Sequence, residues 1–155
     1  MTTEEFLKKF RLRDIIEFKD FKWDSEKKVM VEQPEKYVDR IASLHVFTFA
    51  DKPTEFEIWT ELFPELNGRL HVPVEAWIRT IESYPEPNPP LPVPGVKIGQ
   101  RIIFKDTKEE VDTVAGFEQA IYDDGDTVIR YTMKTHGYEI DVEDIVELLQ
   151  PKVTQ

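Results

Sequence analysis

The chain has no cysteine among its 155 residues, which removes disulfides, thiolate nucleophiles, zinc knuckles and iron–sulfur sites from consideration. No run approaches the ~20 apolar residues of a membrane span. The opening Met1-Thr-Thr-Glu-Glu-Phe-Leu-Lys-Lys-Phe10 lacks the basic start and long apolar stretch of a signal peptide. A cytoplasmic protein with no membrane partner is the expectation. Glycine is scarce, at six residues, and there is no phosphate-cradling loop, dinucleotide fingerprint or Ser-centred nucleophile elbow. Basic charge is short as well: 20 Lys/Arg face 31 Asp/Glu, a formal net charge of -11. Such a field repels a phosphate backbone, so direct nucleic-acid binding is not expected and a basic protein is the natural partner. The three histidines, His45, His71 and His136, show no paired ligand spacing, so neither a metal nor a cofactor is expected. His45 and His71 adjoin apolar strand residues and suit structural roles; His136 suits a turn.

What the chain has in excess is proline in one place. Pro85, Pro87, Pro89, Pro90, Pro92 and Pro94 put six of the eleven prolines within ten residues. Proline fixes φ, has no N–H and pushes the preceding residue toward extended geometry, so neither helix nor central strand runs through here. The run is expected to be a stiff linker, residues 85–94, between an N-terminal module over 1–84 and a C-terminal module over 95–150, with a tail at 151–155. Both modules are acidic, with 13 Lys/Arg against 17 Asp/Glu in the first and 7 against 13 over residues 95–155. Pro87-Asn-Pro-Pro90 and Pro89-Pro-Leu-Pro92 also fit the loose Pro-x-x-Pro ligand pattern, but the nearest flanking base is Lys97, which favours a spacer.

The N-terminal pattern predicts a small α+β module. Thr2 or Thr3 with Glu5 and the apolar Phe6, Leu7 and Phe10 spells a short capped helix. Ile16, Phe18 and Phe21 to Trp23 alternate with polar residues as in a half-buried strand, and Val29-Met-Val31 returns as its hairpin partner. Pro34 followed by Tyr37, Val38, Ile41 and Leu44 predicts a helix, and His45 to Ala50 a strand. Residues 56–63 fit either period, with a helix near Trp59 preferred. Asn67-Gly68 signals a turn, and Pro73 opens an expected helix through Val74, Trp77, Ile78 and Ile81.

The C-terminal segment reads as short strands between polar turns: Gly95 to Phe104, Val111 to Tyr122 with a bulge or bend at Gly116, Thr127 to Met133, and Tyr138 to Val142, closed by a short helical turn. Gly99, Ile102, Phe104, Val114, Gly116, Val128, Tyr131, Val142, Asp144 and Ile145 carry a pattern that resembles the SH3-like small β-barrels, including the Tudor and KOW types. The resemblance implies a barrel over 95–150 and leaves several binding classes open. The overall expectation is therefore α+β, an N-terminal α+β module joined by a Pro-rich strut to an SH3-like barrel.

Asp123-Asp124-Gly125-Asp126 has clustered oxygens, but it lacks the later glutamate of a calcium loop and suits a hairpin turn. Phe104, Phe117, Tyr122, Tyr131 and Tyr138 mostly suit a core; where an aromatic groove exists, Tyr122 and Tyr138 beside acidic turns are its preferred members. Tyr122, Asp123, Asp124, Asp126 and Tyr138 are thus the expected partner-binding residues, and no catalytic residue is assigned. The expected function is a non-catalytic, acidic protein-interaction factor that binds a basic protein surface, as a monomer or homodimer. The alternative is a phage-type inhibitor that imitates nucleic acid and blocks a nucleic-acid-handling or defence enzyme. A third reading is an enzyme assembled from dispersed residues such as His71, Glu75 and Asp144.

Overall fold

A computed structural model describes residues 1–63 and 68–150. The turn expected at Asn67 and the tail at 151–155 lie outside the described residues. Strands make up 56% and form one antiparallel sheet of ten strands, and among the described residues there is a single short α-helix, so the expected α+β class is wrong and the protein is mostly β. The helix α1 (Thr3–Lys9) is the one the sequence announces: the Thr2 hydroxyl accepts the Glu5 N–H at 3.1 Å, and Glu4 pairs with Lys8 one turn on.

The strands are β1 (Ile15–Asp24), β2 (Val29–Phe49), β3 (Glu55–Phe63), β4 (Gly68–Val72), β5 (Trp77–Glu82), β6 (Arg101–Lys105), β7 (Glu109–Tyr122), β8 (Thr127–Met133), β9 (Glu139–Asp141) and β10 (Ile145–Leu148). The main hydrogen-bonded order is β10-β6-β7-β2-β1-β5, with β3 and β4 branching from β2, and β8 and β9 from β7.

The helices expected at 37–44, near Trp59 and at 74–81 are all overruled by strand pairing. Tyr37 to Arg40 face Phe18 to Ile15 across the β1–β2 ladder, and Ile41 to Val46 are buried without interruption, as in a strand covered on both faces rather than a helix with one wet side. Pro34 is accommodated because Lys19 faces Lys36 while Phe21 faces Glu32, leaving residues 33–35 bulged opposite Asp20, where a missing N–H costs no ladder bond. In β3 the strand period wins: Ile58 and Thr60 are buried, and Ile58 faces the buried Val72. Pro73 does start a helical turn, but only the 3-10 turn Val74–Ala76, after which β5 pairs with β1, Thr80 opposite Ile16 and Trp77 opposite Phe18.

The residues fall into two compact units. The first comprises 1–44, 56–90 and 122–126; the second comprises 45–55, 91–121 and 127–155. Phe6, Phe10, Ile16, Phe18, Ile41 and Ile58 are fully or almost fully buried in the first unit. There Phe6 packs on Phe10 and Phe56, and the Phe10 ring meets Trp77 edge-on at 5.7 Å. The core of the second unit is Val96, Ile102, Phe104, Val114, Tyr131, Met133 and Ile140. In β7 the alternation is regular, Asp112, Val114, Gly116, Glu118 and Ala120 turning inward, with the register shift between Val114 and Gly116. Gly116 is required there: a Cβ would stand 2.7 Å from the Thr48 carbonyl oxygen.

The proline run is hydrogen-bonded at Asn88 and Pro92, and the chain just after it at Gly95 and Val96. In the first unit the Asn88 side chain accepts the Leu12 N–H at 2.9 Å and donates to the Leu7 and Phe10 carbonyls at 2.9 and 2.8 Å. In the second unit the Gln119 side chain donates to the Pro92 carbonyl, and the Tyr131 hydroxyl accepts the Gly95 and Val96 N–H groups.

Candidate functional site

Four of the five sequence-predicted site residues lie in one β7–β8 turn of the first unit. Asp-Asp-Gly-Asp closes this turn by its own chemistry: Tyr122 N–H donates to the Asp126 carbonyl, Gly125 N–H to the Tyr122 carbonyl, and the Asp124 carboxylate accepts the Asp126 N–H at 2.9 Å. Gly125 takes φ 92°, which an aspartate would adopt only with strain. Asp124 and Asp126 are exposed, while Tyr122 and Asp123 are half-buried.

Tyr122 and Asp123 line a recess of about 130 Å³ together with Arg13, Tyr84, Glu86 and Asn88. Arg13 shapes it. Its guanidinium donates to the Tyr84 hydroxyl at 2.8 Å and the Asp123 carbonyl at 2.9 Å, and lies 5.2 Å over the Tyr84 ring. Asp14, almost fully buried, fixes the Tyr84 end: its carboxylate accepts the Arg11 and Tyr84 N–H groups at 3.0 and 2.8 Å. Asn88 holds the opposite wall through the three bonds above. The recess has the volume of one side chain, well under that of a drug-sized ligand site.

Tyr138, the fifth predicted residue, belongs to the second unit and to a cluster that sequence reading missed. The His136 ring presents Nδ1 to Asp112 at 2.6 Å and Nε2 to Glu110, and it meets Phe104 and Tyr138 edge-on. Asp112 also accepts the N–H groups of Thr113, Thr135 and His136. Burial by itself raises the Asp112 carboxyl, but the bonds from the His136 ring and from these three N–H groups outweigh it and hold it well below the ordinary carboxylate range. Tyr138 is pushed up, by lost hydration first and then by the charges of Glu110, Asp106 and Asp112. The cluster fastens the β8–β9 turn. The aspartate and histidine are 24 residues apart, and no local motif couples them.

His45 is buried against Glu118 at 3.6 Å, and His71 lies beside Glu57 and Trp59. His71 and Glu75 fall in the first unit and Asp144 in the second. Among the described residues no group of three or more His, Asp or Glu side chains is placed to hold a metal ion, and no helix is long and apolar enough to cross a membrane. No protein-family model, curated protein or solved structure matches this chain.

Proposed function

We propose that this chain is a non-catalytic, acidic protein-interaction factor of the cytoplasm, and that it docks a basic protein through the Tyr122–Asp126 turn and the adjoining recess. The observation that carries this reading is a recess of side-chain size, about 130 Å³, with Tyr84 and Tyr122 among its lining residues beside the acidic Glu86 and Asp123. A partner lysine or arginine finds there aromatic and proline faces for its stem and carboxylates for its head. Arg13 covers the Tyr84 face within the chain, so the partner cation is left the Tyr122 and proline residues of the lining beside Glu86 and Asp123. The net charge of -11 adds steering toward a basic surface. Exposed apolar side chains elsewhere agree with a binding protein: Trp23 and Met30 are cross-strand partners in β1 and β2, 61% and 49% exposed.

The test compares proteins captured from a lysate of the source cell by the wild-type chain and by a Tyr122→Ala/Asp124→Asn/Asp126→Asn variant. The expected result is a basic protein retained by the wild type, released by added salt and lost from the variant. Equal capture by both chains, or retention of acidic proteins alone, overturns the reading. Retention of an enzyme through its nucleic-acid cleft moves the conclusion to the mimic.

A further inference from the structure

Arg13 belongs to an acidic protein, yet among the described residues it bonds only to the neutral Tyr84 hydroxyl and Asp123 carbonyl, with no carboxylate as counter-ion. Two of the five N–H donors of its guanidinium are used this way, which orients the group and leaves the others free. Its backbone is held at φ 73°, a left-handed conformation that arginine rarely adopts, with its N–H donating to the Ile41 carbonyl at 2.9 Å. The chain thus accepts a strained backbone at the residue that carries this charge.

Arg13 also lines a second recess of the first unit, about 280 Å³, with Arg40, Glu82, Ser83 and Tyr84. Its lining holds two arginines and one glutamate, and of the two arginines Arg13 is the one with no carboxylate partner among the described residues. Arg40 is steadied by Glu61, which takes its Nε at 2.6 Å and its terminal nitrogen. The Arg13 donors left by Tyr84 and Asp123, the Arg40 donors left by Glu61, and the hydroxyl-bearing Ser83 and Tyr84 belong to residues of this lining; together they exceed what one planar carboxylate takes up and suit a tetrahedral oxyanion.

We propose that this recess binds a phosphate group, inorganic or on a small phosphorylated compound, with Arg13 as its principal counter-charge. This site shares Arg13 and Tyr84 with the recess of the basic-partner reading but not its acidic turn, so loss of phosphate binding in the Arg13 variants and loss of capture in the Tyr122/Asp124/Asp126 variant are read separately.

The experiment titrates the full-length chain with inorganic phosphate, with acetate and with chloride at matched ionic strength, following by NMR the Arg13 Nε–H and the Ser83 and Tyr84 amides. The expected result is a saturable shift with phosphate alone, weakened about tenfold or more in Arg13→Gln and about threefold in Ser83→Ala. Arg13→Lys keeps the charge, loses the fork and is expected to bind several-fold more weakly, so it serves where Arg13→Gln does not fold. A phosphorylated monosaccharide distinguishes the source: binding as tight as that of inorganic phosphate or tighter supports an ester ligand, and weaker binding supports the free anion. No saturation with phosphate, unchanged affinity in both Arg13 variants, or acetate binding as tightly as phosphate overturns the proposal.

Discussion

Asn88, in the middle of the proline run, accepts the main-chain N–H of Leu12 at 2.9 Å across 76 residues of sequence. Its amide nitrogen also donates to the carbonyls of Leu7 and Phe10, the latter the residue that caps α1. One side chain therefore satisfies one donor and two acceptors where the helix ends and leaves them without helical partners. Asn88→Ala removes all three bonds and is expected to cost about 2 kcal/mol, because the groups left behind are part-buried. Asn88→Asp is expected to be at least as damaging, since a carboxylate cannot donate to the two carbonyls. Urea midpoints of the three chains check this; a variant as stable as wild type would show that solvent replaces the bonds.

Asp112 makes stability depend on pH in a defined direction. Its folded value lies below the ordinary aspartate value. Its contribution is therefore complete above about pH 3.9 and is lost as pH falls toward the folded value. Asp112→Asn is expected to cost about 2 kcal/mol at neutral pH, through weakened bonds to the β8–β9 turn. The gap to wild type should narrow steadily as pH is lowered below about 4. Denaturation series across this range decide it, and parallel curves for the two chains would remove the carboxylate from the account.

Gly116 tests the close approach in the second unit. A Cβ there would lie 2.7 Å from the Thr48 carbonyl oxygen and 3.0 Å from a Phe49 ring carbon. The first neighbour is backbone and cannot swing aside, so Gly116→Ala is expected to destabilise by about 1–3 kcal/mol. Thermal unfolding measures the cost. A neutral substitution would mean that the strand shifts freely at its register irregularity.

Trp23 and Met30 offer the opposite expectation. Both are exposed and face each other across the hairpin. Trp23→Ala and Met30→Ala are expected to change stability by less than about 0.5 kcal/mol each, while reducing the retention of a captured partner that uses this patch. A large loss of stability would make the pair structural.

The acidic turn, the helix cap and the bulge at Gly116 were legible because each is local: Asp-Asp-Gly-Asp, Thr2 with Glu5, and a lone glycine in an alternating strand dictate geometry within a few residues. The helices expected around Tyr37, Trp59 and Trp77 failed for a shared reason. Short apolar segments fit a period of 3.6 and a period of 2 equally well, and pairing with a distant strand chooses between them. Tyr37 and Trp77 are both tied to Phe18, one from each side of β1.

The candidate site divides in the same way. Tyr122 and Asp123 were legible as an aromatic beside an acidic turn. Arg13 and Tyr84, which complete their recess, lie far away along the chain and reach it only through Asp14, Asn88 and the turn of the backbone at Arg13. The Asp112–His136 contact is likewise invisible until β7 and the β8–β9 turn are brought together.

By itself the sequence determined the acidic charge, the exclusion of thiol chemistry and a proline run that breaks helix and strand, because these follow from residue type alone. Only the tertiary structure decided that the ambiguous segments are strands, that Asn88 straps the proline run to the end of α1, and that Arg13, among the described residues, stands without a carboxylate between two recesses. Those outcomes depend on hydrogen bonds and packing between residues whose separation along the chain no local pattern encodes.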